Sequence, residues 1–294
     1  MTRFILDSGN PEEYKQIIKL AKKHDQEIWG STTNPSLIAK KLAESGKKLT
    51  MGEAFALQKD IVMQILQIVP GAVSAEVYAD METMADEMIQ QGEEIARWDE
   101  RVVVKLPTTL EGFKARTELR KKNITTNNTL VFSPQQIFAI CLHEHVMQQE
   151  FGASSKWPPF ISPFIGRLDD IGENGIDLVR QGMELKKHFS EMLWMLSASI
   201  RTTRHIADSI AAGSELITAP AKAYIEWFKS GQIASPAPEG SQSPEKWKPE
   251  QKLLGIETID GFMQALTSGE LDITHPLTEK GIIKFVEDWK AILS

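Results

Sequence analysis

The chain has 294 residues, with 33 Lys and Arg against 40 Asp and Glu, a formal net charge of −7 that argues against a basic nucleic-acid-coating protein. Hydrophobic residues make up 41% and charged residues 25%, enough apolar surface for one large core and too much for a disordered chain. The one cysteine, Cys141, excludes an internal disulfide and a zinc-thiolate cluster and suits a reducing compartment. MTRFILDSG has only a short apolar run before Asp7, unlike a secretory signal, and no apolar stretch approaches membrane-spanning length, so a cytoplasmic protein is expected.

In chain order, short β-branched runs alternate with longer amphipathic segments, the pattern of helices crossing over between parallel strands. Eight runs are predicted as strands: RFIL before Asp7, EIWGST near residue 30, AVSAEVYA around residue 75, RVVVKL ending near residue 106, TLVF near residue 130, PFISPF near residue 162, LWMLSAS near residue 196 and ELIT near residue 217. Helix starts are marked by a cap residue and a first-turn proline at Asn10–Pro11, Asn34–Pro35 and Ser133–Pro134. Eight β/α pairs match a TIM (β/α)8 barrel, in which every strand's carboxyl end opens onto one face. An open doubly wound sheet is the competing architecture. FGASSKWPP, between Phe151 and Pro159, reads as an inserted loop. The whole chain is expected as a single domain, with a barrel core over about residues 3–220, a Pro/Ser/Gly-rich connector over 230–252 and a terminal helical arm over 253–294.

Polar residues interrupt these apolar strands: Asp7 follows FIL, Glu76 follows VSA and Lys105 follows VVV. Burying three ionisable groups is costly without a partner or a purpose. Residues two apart on a strand share a face, so Asn127 with Thr129, Ser162 with Phe164, and Ser199 with Arg201 are expected to point inward together. Lys105 is the sharpest candidate. A lysine stripped of hydration favours its neutral form, and the amine can then attack a carbonyl carbon to form a Schiff base. VVVKLP alone more commonly marks a lysine that extends its ammonium into solvent, and isolated carboxylates such as Glu76 and Asp7 more commonly serve as salt-bridge partners, but their joint occurrence shifts the balance toward chemistry.

FILDSG, GSTTNPSLI, VSAEV, VVVKLPTTLEGF, TTNNTLVFS, FISPFIGRLDD and LSASIR, in that order over residues 3–220, resemble the successive strand motifs of the transaldolases. The resemblance implies a class I aldolase-type barrel that carries a dihydroxyacetone unit as a Schiff base on Lys105. It gives Glu76 an acid/base role through a water held by Thr129, and Asp7 a proton exchange with the hydroxyl at the bond being cleaved. Asn34, Asn127 and Ser162 then match positions that bind sugar hydroxyls. The chemistry fits the residues: cleaving a carbon–carbon bond beside a ketone needs an electron sink, which a protonated imine supplies without a metal, and two carboxylates divide the proton transfers.

Arg167 and Arg201, with Ser199 beside the second, have the forked donors that suit a phosphate dianion. Without the resemblance, Arg167 could simply pair with Asp169 or Asp170, and Arg201 could flank a helix. The fructose-6-phosphate aldolases, smaller relatives that release free dihydroxyacetone, carry Gln and Tyr where this chain has Glu76 and Phe164. Phe164 has no hydroxyl to help water attack the imine, so a longer-lived intermediate is expected. A non-catalytic sugar-phosphate-binding barrel is the reading from a different class.

His143 and His145 lack the i, i+4 spacing of a helical zinc site and are read as parts of a solvated helix, and His205 as structural. No dinucleotide fingerprint or Walker loop occurs. No metal and no cofactor are expected. The expected partners are small sugar phosphates, with no nucleic acid and no membrane, and a homo-oligomer is left open.

Overall fold

A computed structural model describes residues 2–34, 36–37, 48–190, 192–235 and 246–293. Eight parallel strands close into a barrel in sequential order: β1 (Arg3–Asp7), β2 (Ile28–Thr32), β3 (Val73–Glu76), β4 (Val102–Pro107), β5 (Thr126–Val131), β6 (Phe160–Pro163), β7 (Trp194–Ser197) and β8 (Leu216–Ala219). Closure is made by β8 pairing with β1, Leu216 opposite Arg3 through Ala219 opposite Leu6. All eight expected strands are present, and the closed order replaces the open-sheet alternative.

The first crossover helices are α1 (Pro11–Lys22), α2 (Met51–Leu66), α3 (Ala85–Ala96), α4 (Leu110–Lys121) and α5 (Pro134–Phe151). Two expected starts are seen directly. Asn10 caps α1 by accepting from Glu12 N, and Ser133 forms a reciprocal capping box with Gln136 at the start of α5. Asn34 Oδ1 accepts from Leu37 N at 3.0 Å, while Pro35 lies outside the described residues. The second half carries α6 (Ile165–Asp169), α7 (Gly175–Leu185), α8 (Thr203–Ala211) and α9 (Ala221–Lys229), and beyond the barrel α10 (Gln251–Leu254), α11 (Ile259–Thr267) and α12 (Pro276–Lys290). Residues 236–245 of the expected connector lie outside the described residues.

Two separate apolar clusters build the molecule. The larger lies between the barrel and its helices, and the smaller lies inside the barrel, formed by Ile5, Ala72, Val103, Phe160, Leu196 and Leu216. The strand period of two explains what sits above it. Two residues further along, Ile5 gives way to Asp7, Ala72 to Ser74, Val103 to Lys105, Phe160 to Ser162 and Leu216 to Thr218. The interior is therefore apolar in its middle layer and polar at the carboxyl end, where the active sites of such barrels lie.

Trp29, Trp157 and Trp194 pack against the apolar interior layer from the amino-terminal side, with ring centroids of Trp29 5.1 Å from Trp157 and 5.7 Å from Trp194. The Arg3 guanidinium lies 4.7 Å from the Trp194 ring. Trp157 comes from the irregular segment after α5, so the expected inserted loop stoppers the bottom of the barrel, at the end opposite the polar layer.

The polar residues of α5 are not solvated as expected: His143 and Glu144 are fully buried. Arg116 and Arg120 on α4 bond Glu144 at 2.8 Å and 2.6 Å, and Arg116 also donates to His143 Nδ1. His143 Nε2 pairs with Thr117 Oγ1, which itself donates to Phe113 O, so the imidazole carries its proton on Nε2. Burial, then Arg116 and Arg120, keep that ring neutral by pushing its pKa well down. Phe262 of α11 covers the ring at 5.1 Å, so the terminal arm encloses what the pattern of α5 presents as an exposed face.

Candidate active site

A cavity of about 290 Å³ opens at the carboxyl ends of the strands. Asp7, Asn34, Lys105, Asn127, Thr129, Ser162, Phe164, Arg167, Ser199 and Arg201 all line it, so ten of the expected positions converge on one space. Glu76, the remaining one, stands immediately behind Lys105.

Lys105 is only 4% exposed, which removes the reading of a side chain reaching for solvent. Its Nζ lies 2.9 Å from Glu76 Oε2 and donates to Thr33 O at 3.2 Å. The backbones that carry these groups are fixed both from the helical layer and within the sheet. Gln58 on α2 donates to Glu76 O at 2.8 Å, and Thr33 N is tied to Ser74 O at 3.0 Å. Val77, Leu130, Phe285 and Trp289 line a small apolar void beside Glu76. Burial accordingly pushes the Glu76 carboxyl above its ordinary range, although Lys105 pulls the other way.

Asp7 sits at the end of β1, which two tyrosines clamp from the helical layer: Tyr14 donates to Ser8 O and Tyr224 to Ile5 O, both at 2.9 Å. Thr32 donates to Asp7 Oδ1 at 2.7 Å and lies 2.6 Å from Thr218 Oγ1. Since the one Thr32 proton goes to the carboxylate, Thr218 is the donor in that second bond. Burial raises the Asp7 pKa, with Lys105 and Thr32 opposing. Two carboxyls poised above their ordinary values thus share the site with one amine, an arrangement suited to handing protons back and forth.

Asn127 accepts from Ser162 Oγ at 2.6 Å and donates to Ser74 Oγ at 3.2 Å, which fixes its amide. Thr129 Oγ1 is buried and has no hydrogen-bond partner among the described residues, a polar atom on the cavity wall with capacity to spare. The strand pairing shifts between Asn128 and Val131, and Leu130 takes φ 58°, a bulge beside the site of the kind that re-aims side chains.

Arg167 pairs with neither Asp169 nor Asp170. Its guanidinium lies between two aromatic rings, 5.3 Å from the centroid of Phe164 and 5.5 Å from that of Phe285. Burial first, then the positive charge of Arg201, lowers its pKa, which marks the two cations as neighbours in one field. Arg201 bonds Asp170 at 2.8 Å with both side chains exposed, a contact of little net worth that an arriving anion can displace. Ser199 and Arg201 lie beyond the end of β7 and so do not share a strand face as expected. Ser199 instead takes φ 58° in the loop above the barrel. That loop approaches α6 closely, because a Cβ on Gly166 would come within 2.2 Å of Ser199 O.

Two groups of residues escaped the sequence reading. Thr32 and Thr218 follow the same step of two that revealed Lys105, so the signal for them was present. Phe285 comes from α12, whose residues carry no local sign of reaching the mouth. Leu130 O accepts from Thr278 at 2.9 Å and Ser36 donates to Asp288, and these two contacts dock α12 beside the cavity. A Cβ on Gly281 would meet Arg167 Nη1 at 2.8 Å, so the helix seats directly on that arginine.

The family model described as Transaldolase/Fructose-6-phosphate aldolase matches residues 4–294, so it includes the terminal arm. A relative from Chlorobium chlorochromatii (strain CaD3) is 38% identical over 218 residues, 74% of this chain and 86% of its own. Relatives from Clostridium perfringens (strain ATCC 13124) and Herpetosiphon aurantiacus are 36% and 32% identical over 98% and 99% of this chain and 97% and 96% of theirs. All three are described as probable transaldolases. Among the described residues no helix is long and apolar enough to cross a membrane.

Proposed function

The chain belongs to the transaldolase/fructose-6-phosphate aldolase family, and from that membership we propose that it is a transaldolase working through a Schiff base on Lys105. It moves a dihydroxyacetone unit from a ketose phosphate, sedoheptulose 7-phosphate or fructose 6-phosphate, to an aldose phosphate, glyceraldehyde 3-phosphate or erythrose 4-phosphate. This is the transfer chemistry of the pentose phosphate pathway. The observation that carries the reading is the enclosed Lys105 amine in direct contact with Glu76, in a cavity shared with Asp7.

In the proposed sequence Lys105 transfers a proton toward Glu76 and its amine adds to the ketose carbonyl carbon. Glu76, acting through a water held against Thr129, returns the proton to the carbinolamine hydroxyl, which departs as water and leaves a protonated imine. Asp7 takes the proton from the hydroxyl on the carbon beyond the bond to be cleaved. That bond's electrons flow into the imine, an aldose departs, and an enamine remains on Lys105. The acceptor aldehyde reverses these steps, with Asp7 returning the proton to the new hydroxyl, and water finally hydrolyses the imine. Asn34, Asn127 and Ser162 hold the hydroxyls of the carried unit, while Arg167, Ser199 and Arg201 hold the phosphate.

Incubation with fructose 6-phosphate and borohydride, followed by peptide mass mapping, tests the reading. Irreversible modification of Lys105 is the expected result, and an unmodified Lys105 overturns it. A coupled assay with erythrose 4-phosphate then separates transfer from release of free dihydroxyacetone. Glu76 and Phe164 favour transfer, since the resemblance assigns Gln and Tyr at these positions to the aldolases.

A further inference from the structure

His205 joins the two segments that carry the arginines of the phosphate site. Its Nδ1 accepts from the backbone N–H of Arg201 at 3.2 Å, so Nε2 carries the proton and donates it to Asp169 Oδ2 at 2.7 Å. Asp169 is the last residue of α6, two positions after Arg167, and its other oxygen accepts from Gly175 N at 3.0 Å. Burial pushes the Asp169 carboxyl up, but the bonds from His205 and Gly175 N outweigh it and hold the group below its ordinary value, a committed acceptor. Both ring nitrogens are thus engaged, and the imidazole is not free to act as a base.

The loop that His205 holds needs holding. Ser199 sits in the left-handed region, a conformation that is unfavourable for a non-glycine residue and persists only where its surroundings enforce it. Backbone bonds from Ile165 N to Ala198 O and from Gly166 N to Ser199 O anchor the start of the loop at 3.0 Å and 3.1 Å. Beyond that point the Arg201–Asp170 contact uses the very guanidinium an anion would claim. The His205 bridge grips Arg201 by its backbone and takes up neither guanidinium.

We propose that His205, through Asp169, is a positioning residue that fixes the spacing of Arg167 and Arg201 for one phosphate group. This rests on the transaldolase reading only for the identity of the phosphorylated substrate. The tautomer makes the relay specific. In Asp169→Asn the carboxamide oxygen keeps the Gly175 bond and its NH2 faces His205, so the imidazole must turn Nε2 into an acceptor. The proton then moves to Nδ1, opposite the Arg201 N–H, and breaks that bond.

The test titrates inorganic phosphate by calorimetry into the wild type, His205→Ala, His205→Asn and Asp169→Asn. It also measures KM and kcat with fructose 6-phosphate, and borohydride trapping of Lys105 by unphosphorylated fructose. Expected are phosphate affinity weaker by about tenfold in His205→Ala and Asp169→Asn, a KM raised to match, kcat within about twofold, and unchanged trapping by fructose. His205→Asn keeps an acceptor near Arg201 N and should recover part of the affinity. Wild-type phosphate affinity in both His205→Ala and Asp169→Asn, or trapping by fructose that falls in step, overturns the proposal. If His205→Ala fails to fold, Asp169→Asn decides by the same readings. Failure of fructose 6-phosphate to label wild-type Lys105 would sink the transfer reading alone, because the phosphate titration still reads His205.

Discussion

Lys105 and Glu76 are directly paired in register on adjacent parallel strands, with Nζ and Oε2 2.9 Å apart. Their contact is set by the sheet and needs no loop to close. A carboxyl raised by burial sits against the amine that must lose a proton, so the first transfer has little distance and little reorganisation to overcome.

Glu76→Gln removes that acceptor while leaving the shape of the site. The expected loss in kcat is about 10²–10⁴-fold, with Lys105 still trapped by borohydride but more slowly. In the wild type the Glu76 carboxylate is the form that accepts a proton, and its pKa is raised. The acidic limb of kcat/KM is therefore expected above the ordinary glutamate value of 4.5, and a pH–rate profile checks it.

Asp7→Asn should separate stability from activity. The folded-state pKa of Asp7 lies above its ordinary 3.8, so below that value the proton is bound in both folded and unfolded chains and the group has no effect. As pH rises from 3.8 to the raised value, the unfolded wild type gains by ionising Asp7 while the folded one still holds the proton, a loss of stability that the variant does not share. Thermal unfolding across that window should show Asp7→Asn gaining stability relative to the wild type with rising pH, while transfer activity is largely lost at every pH.

Phe164→Tyr places a hydroxyl in the cavity that holds the imine. Release of free dihydroxyacetone from fructose 6-phosphate should rise relative to transfer, measured by adding a dihydroxyacetone-consuming enzyme. Unchanged release would refute the role given to Phe164.

Phe285→Ala strips one of the two rings from Arg167. Cation–π contacts of this kind contribute about 0.5–2 kcal/mol, so KM for phosphorylated substrates should rise by about 2- to 30-fold. Steady-state kinetics with and without a substrate phosphate distinguish this from general damage to the mouth.

Glu144→Gln leaves Arg116 and Arg120 buried without their counter-charge. Losing one member of a buried ionic cluster costs about 3–5 kcal/mol, so chemical denaturation should show a midpoint well below that of the wild type.

The strands are legible in the sequence as short β-branched runs between longer amphipathic segments, and Lys105, Glu76 and Asp7 are legible because charge is out of place in such apolar runs. Less is legible where partners are distant. His143 and Glu144 look solvated on α5 until Arg116, Arg120 and Phe262 are brought beside them, 24 or more residues away. Phe285 reaches Arg167 only through the docking of α12, which no local period announces. Ser199 and Arg201 line the same cavity, but the strand expected to align them ends at Ser197, and Ser199 takes a left-handed conformation in the loop that follows.

Among the described residues, the three tryptophans beneath Ile5 and Leu216 close the barrel below Lys105, so the cavity at the carboxyl ends serves donor and acceptor alike. In the proposed reaction the departing aldose must vacate the route its successor takes, so donor and acceptor visit in turn. Initial-rate plots at several acceptor concentrations would then run as parallel lines.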